Sequence, residues 1–237
     1  MKIYAIGDLH LSTKVQKPMD IFGEGWDNHF QRIETDWLSK VNSNDIVLIP
    51  GDISWGMYLE EAQADLDLIS KLPGIKIFIR GNHDYWWNSI TAVRNILKDN
   101  NYALQNDAIR LDDKVVICGT RGWTVPEKEN QHKTPDDEKI YKRELIRLEL
   151  ALQDLDKKRK EGDISIVMLH FPPFNAKMLP SDFTRLCEKY KIDYVVYGHL
   201  HGKNCRCKLK LIQNNITYLL TSCDQTQCKL IEVCNIE

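Results

Sequence analysis

Short apolar runs rich in β-branched residues recur along the chain and constrain its fold more than any other feature. Runs of this kind are typical of strands that are buried on both faces of a sheet. They occupy residues 2–6, 45–49, 75–79, 114–118, 164–169 and 193–197. Helical patterns separate several of them and cover residues 27–42, 59–72, 87–99, 136–161 and 181–190. This alternation predicts an α/β protein built in layers.

The C-terminal third has a different pattern. Residues 207–215 and 216–222 are strand-like segments that meet at Asn214–Asn215, which predicts a β-hairpin. A further strand-like run follows at residues 228–233. A late antiparallel section added to strand–helix alternation predicts an α/β layered sandwich. We see no repeat or linker that would divide the chain, so we expect a single domain over residues 1–237.

The size and charge of the chain narrow its class. Its 237 residues are enough to bury a sizeable core within one domain. No apolar run reaches the roughly 18 residues that a membrane helix needs, and residues 1–12 lack a signal-peptide core. We therefore expect a cytoplasmic protein without a membrane partner. The net charge of −2 gives no electrostatic reason to expect nucleic-acid binding.

The seven cysteines lack the even spacing of a small disulfide framework, and we interpret them as reduced thiols. An alternative applies to Cys205 and Cys207, which could form a thiolate clamp for a soft metal ion. A zinc site usually has four ligands at wider spacing, so this alternative is the weaker of the two.

Polar side chains follow five of the apolar runs. The segments are GDLH at 7–10, PGDISW at 50–55, GNHD at 81–84, HFPP at 170–173 and GHLH at 198–201. Taken alone, GNHD would fit a polar turn with a solvated histidine. Five of the seven histidines, however, lie in these segments, and ligands bind at the carboxyl ends of strands in open α/β sheets. The five segments therefore indicate a single site.

The spacing within these segments indicates metal binding. Asp8 and His10, like His199 and His201, are two residues apart and project to the same side at the end of a strand. Carboxylate, amide and imidazole ligands without cysteine suit divalent manganese, iron or zinc. Six ligands and a carboxylate able to bridge are too many for one ion. They fit two ions about 3.5–4 Å apart, which together activate water and hold a phosphoryl group.

The order D-x-H, G-D, G-N-H-D, H and G-H-x-H closely resembles the motif order of the calcineurin-like metallophosphoesterase family. The motifs extend from residue 7 to residue 201, so the resemblance covers nearly the whole chain. Each motif alone is a weak signal, whereas five in this order are a strong one. The resemblance implies the fold of the family, a four-layer αββα sandwich of two mixed β-sheets flanked by helices.

The resemblance also implies a pair of divalent metal ions, with manganese, iron and zinc as candidates. The first ion would be held by Asp8, His10, Asp52 and His201. The second would share Asp52 as a bridge and would be completed by Asn82, His170 and His199.

The third motif contains the residues for which the resemblance implies catalytic roles. His83 would face the substrate and either protonate the leaving oxygen or stabilise charge on the phosphoryl group. Asp84 would orient His83 and support its charge from behind. The implied activity is hydrolysis of a small phosphomonoester or phosphodiester, with a nucleotide as one candidate, by in-line attack of a metal-bound water or hydroxide.

Some positions of this sequence differ from the motifs of known subfamilies of the family. These differences narrow the range of activities to expect. The segment GDISWGMY lacks the arginine with which protein serine/threonine phosphatases grip phosphate. Trp55 stands where purple acid phosphatases have a tyrosine ligand, which argues against a ferric centre. The remaining features resemble a bacterial single-domain phosphohydrolase for a small-molecule phosphoester. Two alternatives stay open, namely a nuclease acting on short nucleic acid and a non-catalytic metal-binding scaffold.

Residues that contact the substrate are harder to predict than metal ligands. Arg121 follows a strand, and its guanidinium group suits bidentate binding of phosphate. Lys17 and His29 are weaker candidates for the same role.

Five tryptophans lie close in sequence to the motifs or to two irregular segments, residues 12–26 and 120–135. These tryptophans are Trp26, Trp55, Trp86, Trp87 and Trp123. An aromatic wall could stack a base or another flat group, although ordinary packing explains the tryptophans at least as well. Trp123 is the one that we place at the substrate. Irregular segments of this length often act as lids.

Overall fold

A computed structural model describes residues 1–112, 114–128, 133–203, 205 and 207–236. Five strands of this part of the chain form a first sheet. They are β1 (Lys2–Ala5), β2 (Ile46–Ile49), β3 (Ile75–Phe78), β4 (Asn101–Ala103) and β11 (Ile231–Asn235). Their order across the sheet is β11-β1-β2-β3-β4, with β11 antiparallel to β1 and the other neighbours parallel.

Six further strands form a second mixed sheet. They are β5 (Asp107–Leu111), β6 (Val115–Thr120), β7 (Ile164–Leu169), β8 (Tyr194–Tyr197), β9 (Lys210–Gln213) and β10 (Ile216–Leu220). Their order is β5-β6-β7-β8-β10-β9, and both edge strands are antiparallel to their neighbours. The predicted hairpin is confirmed as β9–β10. Asn214 and Asn215 have φ values of 51° and 64°, as a tight hairpin turn of the primed type requires.

The five predicted helices are all present. They are α1 (His29–Lys40), α2 (Leu59–Ser70), α3 (Ile90–Ile96), α4 (Pro135–Lys158) and α5 (Asp182–Lys189). The helix α3 is shorter than predicted, because the Ser89 side chain accepts a hydrogen bond from the Ala92 N–H and caps the helix there. No helix in the described ranges has both the length and the apolar character that crossing a membrane demands.

Alternation along β1 shows how the layers arise. Ile3 and Ala5 belong to a core between the two sheets, whereas Tyr4 and Ile6 belong to a core beneath α1, α2 and α3. A third core lies between the second sheet and α4 and α5, with Leu148 of α4 fully buried in it. The predicted four-layer αββα sandwich is therefore confirmed.

The sequence did not predict β4, β5 or two short 3-10 helices. The strands β4 and β5 contain polar residues and lie at sheet edges, where half of the side chains face solvent. The 3-10 helices, Asp20–Phe22 and Glu24–Trp26, lie within the irregular segment 12–26. Residues 129–132 of the second irregular segment lie outside the described residues, as do residues 204 and 206 beside the two cysteines.

Candidate functional site

Four of the predicted ligands have a left-handed backbone at the ends of their strands. The φ values are 55° at Asp8, 44° at His10, 52° at Asp52 and 69° at His199. This conformation is uncommon for residues other than glycine. Strained residues of this kind persist where the surrounding structure holds them, and they cluster at functional sites. The backbone therefore turns abruptly at each of these strand ends.

Asp8, His10 and Asp52 form a buried cluster. One potential ligand atom from each residue lies within 4.8 Å of the others. The His10 Nε2 atom is 3.7 Å from Asp52 Oδ2, and neither atom has a hydrogen-bond partner in the described ranges. Buried polar atoms without partners are unfavourable. A cation bound between them would use the lone pairs of both atoms.

His170, Asn82 and His199 form an adjoining cluster. The His170 Nδ1 atom lies 3.0 Å from the Pro50 carbonyl oxygen, which can only accept, so Nδ1 carries the hydrogen in the neutral ring. Its Nε2 atom then presents a lone pair 2.7 Å from Asn82 Oδ1 and 3.5 Å from Asp52 Oδ2. The His199 Nδ1 atom is 2.9 Å from the same Asn82 oxygen. Acceptor atoms thus face one another here as well.

The protonation of these groups favours binding of cations. Burial lowers the pKa of His170 and of His199 to about 3, and it lowers the pKa of His10 well below its ordinary value. The three imidazoles are therefore neutral, which is the form that binds a metal ion. Burial raises the pKa of Asp8 well above its ordinary value, and it also raises the pKa of Asp52. Among the described residues, no lysine or arginine forms an ion pair with either carboxylate.

Two glycines in the motifs allow the chain to approach these carboxylates closely. A Cβ atom on Gly81 would lie 2.1 Å from Asp52 Oδ1. A Cβ atom on Gly198 would lie 2.5 Å from Asp8 Oδ2, and the next residue, His199, donates its backbone N–H to that oxygen at 2.9 Å. Only glycine fits at either position.

His201 lies at the solvent side of the first cluster. It is exposed, and its ring centroid is 5.5 Å from that of His10 and 6.0 Å from that of Trp26. The structure thus brings together all seven residues for which the resemblance implies metal binding. Among the described residues, the Asp8–His10–Asp52 cluster is the one group of three or more acidic, histidine or cysteine side chains close enough to hold an ion. Within the described part of the chain, no such group includes Cys205 or Cys207, so no third ligand for a thiolate clamp adjoins them.

His83 lies beside the first cluster with its ring partly exposed. Its backbone N–H donates to Asp52 Oδ1 at 2.7 Å. The ring centroid is 5.7 Å from that of His10 and 4.8 Å from that of Trp55. Burial lowers the pKa of His83, while the Asp52 charge acts in the opposite direction. Its imidazole can thus reach a ligand held between the clusters and solvent.

Asp84 does not make the predicted contact with His83, and its role is corrected. Its carboxylate is fully buried, and burial together with the Asp52 charge raises its pKa to about 7. It accepts hydrogen bonds of 2.7–3.2 Å from the backbone N–H groups of Gly81, Asp52, Ile53 and Ser54 and from the indole of Trp86. Asp84 therefore ties the second motif to the third and positions Asp52 rather than His83.

The backbone of Arg121 adjoins His170, whose N–H donates to the Arg121 carbonyl oxygen at 3.0 Å, but the Arg121 side chain contacts α4. The Arg121 Nη2 atom is 3.6 Å from Oε1 of Glu144, which is fully buried on α4, and the guanidinium carbon lies 4.9 Å from the Trp123 ring centroid. Trp123 packs against Phe171, with ring centroids 5.0 Å apart, and Phe171 packs against His199 at 4.2 Å. Arg121 is thus engaged with an internal carboxylate.

Four of the five tryptophans do not form an aromatic wall, which was one of the two interpretations of these side chains. Trp86 and Trp87 are 1% exposed, Trp26 is 3% exposed, and Trp55 is 8% exposed, so all four belong to the core. Trp55 also stacks on the His10 ring, with centroids 4.7 Å apart and planes at 22°. Ordinary packing, the alternative interpretation, explains these four side chains.

The two weaker candidate cations differ in position. The His29 ring nitrogens lie 2.9 Å from the Leu9 carbonyl oxygen and 3.2 Å from the Trp26 carbonyl oxygen, and burial lowers the pKa of the ring. His29 therefore supports the loop after β1. Lys17 is exposed, and its Nζ atom lies 3.5 Å from the centroid of the Trp55 ring. Its ammonium group is consequently on the same side of the site as His83.

A sixth strand end, which the sequence did not predict, also reaches the site. Gly7 pairs with Ser222 just beyond β10, and the Cys223 Sγ atom donates to the Asp8 carbonyl oxygen at 3.2 Å. Asp224 follows this strand end, but the segment 221–224 has no glycine, asparagine or histidine beside it, which is why it was not predicted as part of the site. The apolar run at residues 216–220 was the feature of the sequence from which this strand end could have been predicted.

Comparisons with known proteins agree with this geometry. The family model for calcineurin-like phosphoesterases matches residues 1–203. The structure of the protein of unknown function AQ665 from Aquifex aeolicus is similar, with a TM-score of 0.52 and 16% identity, over 98% of this chain and 95% of that one. The protein TT1561 of Thermus thermophilus has a TM-score of 0.55 and 9% identity, with coverage of 97% and 96%. At these identities the likeness shows the fold alone. No curated protein matches the chain.

Proposed function

The chain belongs to the calcineurin-like phosphoesterase family, and from this premise we propose that it hydrolyses small phosphoesters with two bound divalent metal ions. Members of the family are generally phosphoesterases that use divalent metals. The observation that carries the proposal is the position of Asp52 Oδ2. This atom lies 3.7 Å from His10 Nε2 and 3.5 Å from His170 Nε2, and no hydrogen bond reaches it in the described ranges.

The donor set fits a pair of divalent ions. Two buried carboxylates, an amide oxygen and neutral imidazoles are ligands suited to manganese, iron or zinc. One ion would be held by Asp8, His10, Asp52 and His201, and the other by Asp52, Asn82, His170 and His199. When bound, such a pair supplies a water activated at neutral pH and positive charge for a phosphoryl group.

The reaction is a displacement at phosphorus. The water oxygen forms a bond to phosphorus, the ester P–O bond breaks, and one water proton ends on the departing alcohol oxygen. We assign the delivery of that proton to His83, and the position of its ring at the border of the cluster, partly exposed, supports this role. The Asp84 carboxylate accepts from the Asp52 N–H and the Gly81 N–H, and it thereby holds the turn that contains Asp52 beside the turn that contains His83.

Lys17 is better placed than Arg121 to bind the phosphate charge. The Lys17 ammonium lies on the face of Trp55, whose ring is 4.8 Å from that of His83. No carboxylate lies within 4.0 Å of this ammonium in the described part of the chain, whereas Arg121 faces Glu144. A cation on an aromatic face is held without neutralisation, so it remains available to an anion.

Hydrolysis of an aryl phosphomonoester and its diester counterpart tests the proposal. Wild type is stripped with chelator and assayed in Mn²⁺, together with Asp52→Asn, His83→Ala and the control Asp45→Asn. We expect metal-dependent turnover that falls about a thousandfold in Asp52→Asn and at least about a hundredfold in His83→Ala. Asp45→Asn changes the other end of β2 and should retain activity within about twofold.

The same assay separates the alternatives. The ratio of monoester to diester turnover identifies the preferred ester. Turnover of an oligonucleotide with steep salt dependence would favour a nuclease. Binding of two Mn²⁺ ions by calorimetry without hydrolysis of either ester would contradict catalysis and favour a metal-binding scaffold.

A further inference from the structure

A cleft of about 710 Å³ adjoins the candidate site. His199 and His201, two of the proposed metal ligands, line one end of it, together with Phe171, which follows His170 directly. The Phe171 ring packs on the His199 ring with centroids 4.2 Å apart. The wall of the cleft is therefore continuous with the metal-binding clusters.

The lining of the cleft is mainly apolar. Side chains from four separate parts of the second sheet and its loops contribute to it, namely Val125, Phe171, Phe174, Met178, Leu200 and Leu211. Met178, Leu200 and Leu211 pack on the core beneath the second sheet but remain partly exposed. Clefts of about 300–1,000 Å³ with such a lining are typical of sites that enclose an apolar ligand.

Two polar side chains of the lining, Asn175 and Glu127, are engaged with the protein itself. Asn175 Oδ1 accepts from the backbone N–H groups of Lys177 and Leu179, at 3.0 and 3.1 Å. The Glu127 carboxylate accepts from the Ala176 N–H at 3.0 Å. These bonds fix the loop that carries Met178. The exposed side chains of Lys208 and Thr124 also line the cleft.

The backbone also presents Met178 to the cleft at a conformational cost. Met178 has a φ of 56°, which is unfavourable for a residue with a side chain. The hydrogen bonds that Asn175 Oδ1 accepts from Lys177 and Leu179 hold the loop in this conformation. A methionine side chain adapts its shape to varied apolar groups, so it suits a position that contacts a ligand.

We propose that this cleft binds an extended apolar group of the substrate, so that the substrate is a phosphoester of an amphiphilic alcohol. This inference rests on the proposed function, since the phosphate end would lie at the metal-binding clusters. His199 and His201 border both places, which puts the ester bond at the junction between the charged site and the cleft.

Binding of alkylphosphonates that cannot be hydrolysed tests the inference independently of turnover. Methyl-, butyl- and octylphosphonate are titrated into the Mn²⁺-loaded protein by calorimetry, at concentrations that do not form micelles. Each buried methylene should tighten binding about threefold. We therefore expect octylphosphonate to bind at least about a hundredfold more tightly than methylphosphonate.

Neighbouring residues of β9 provide a matched pair of variants. Leu211 lines the cleft, whereas Ile212 is 64% exposed and is not part of the lining. Leu211→Glu should remove most of the dependence on chain length, and Leu211→Ala should weaken octylphosphonate several-fold if the glutamate variant does not fold. Ile212→Glu should leave all three affinities unchanged, and no variant should alter the affinity for methylphosphonate.

The outcomes separate this inference from the proposed function. Equal affinity for the three phosphonates, together with hydrolysis of a small ester, would overturn the apolar substrate and leave the phosphoesterase intact. Dependence on chain length that is lost in Leu211→Glu, without hydrolysis of any ester, would support the cleft and overturn the proposed reaction. An equal loss of octylphosphonate binding in Leu211→Glu and Ile212→Glu would also contradict the inference.

Discussion

The strand β2 has a buried aspartate beyond each end, and the fold satisfies the two differently. Asp45 precedes the strand, and its carboxylate accepts from the Lys2 N–H at 2.7 Å and the Asn42 N–H at 2.8 Å, one bond to each oxygen. Asp52 follows the strand. Its Oδ1 atom accepts from the His83 N–H at 2.7 Å, while its Oδ2 atom has no partner in the described ranges.

The pKa values of the two carboxyl groups move in opposite directions. Burial acts to raise the pKa of Asp45, but the N–H groups of Lys2 and Asn42 outweigh it and the pKa is lowered. Burial raises the pKa of Asp52, and the His83 N–H offsets this only in part. Burial alone therefore does not identify a functional carboxylate. The two carboxylates differ instead in their partners, because Asp45 is complete without a ligand whereas Asp52 Oδ2 has no partner in the described ranges.

After the loss of turnover expected for Asp52→Asn, the largest effect is expected when the Asp52 carboxylate is displaced without being changed. In Gly81→Ala the new Cβ atom would lie 2.1 Å from Asp52 Oδ1, so the turn must shift. A shift of this kind at a catalytic site lowers turnover by about a hundredfold or more. Gly25→Ala is the control, because its Cβ atom would approach nothing nearer than 4.0 Å. Similar aryl phosphate turnover in both variants would show that the position of Asp52 is unimportant.

The next effect is stabilisation by metal ions. Mn²⁺ at a hundred times its dissociation constant should stabilise the protein by about 2.7 kcal/mol, measured as a rise in Tm after chelator is removed. Asp52→Asn should lose most of this rise, whereas Asp45→Asn should keep it. An identical metal-dependent rise in both variants would mean that the ions bind elsewhere.

Asp84→Asn separates the observed role of Asp84 from the predicted one. An asparagine cannot accept all five hydrogen bonds, so the free energy of unfolding should fall by about 2–3 kcal/mol. Turnover should fall as well, but the pH profile of kcat should keep its shape because Asp84 does not contact His83. A shift in the profile without loss of stability would restore the predicted support of His83.

The smallest effect is on the free energy of unfolding of the protein in chelator. Substitution of Asp52 and of Asp45 should change it in opposite directions. The raised pKa of Asp52 means that its stabilising contribution is present below its unfolded pKa and is lost as pH rises through the folded value. The lowered pKa of Asp45 means that its contribution is present above its unfolded pKa. At pH 7, Asp52→Asn should therefore raise the free energy of unfolding by about 1 kcal/mol and Asp45→Asn should lower it by about as much.

Denaturant unfolding at pH 4 and pH 7 measures both changes. The difference between the two variants should widen as pH rises. Equal destabilisation by both substitutions at pH 7 would show that Asp52 is as well satisfied as Asp45, and the comparison on which the metal centre rests would fail.

The layers and the gathering of the five motifs could be predicted from sequence because both follow from local pattern. Apolar β-branched runs identify strands, and strands in an α/β sheet release their next residues at one edge. The edge strands β4 and β5 could not be predicted in this way. Tyr102 of β4 is 38% exposed, and an edge strand needs no continuous apolar run.

The partners of individual side chains could not be predicted, because they depend on the path of distant loops. Asp84 follows His83 in sequence, yet its carboxylate points back to residues 52–54. Arg121 follows a strand as expected, but α4 brings Glu144 to it from 23 residues further along the chain. Adjacency in sequence predicted residues that the fold brings together, but not the contacts that two of their side chains make.

The pairing of β1 has a consequence for how the protein is made. Lys2 pairs with Asn235, so the strand that leads into Asp8 and His10 has its outer neighbour at the far end of the chain. The pairing of β1 with β11 can form only after every residue between these two strands has been synthesised. His199 and His201 emerge late as well. A metal centre built from these residues would consequently be complete only after both sheets have formed.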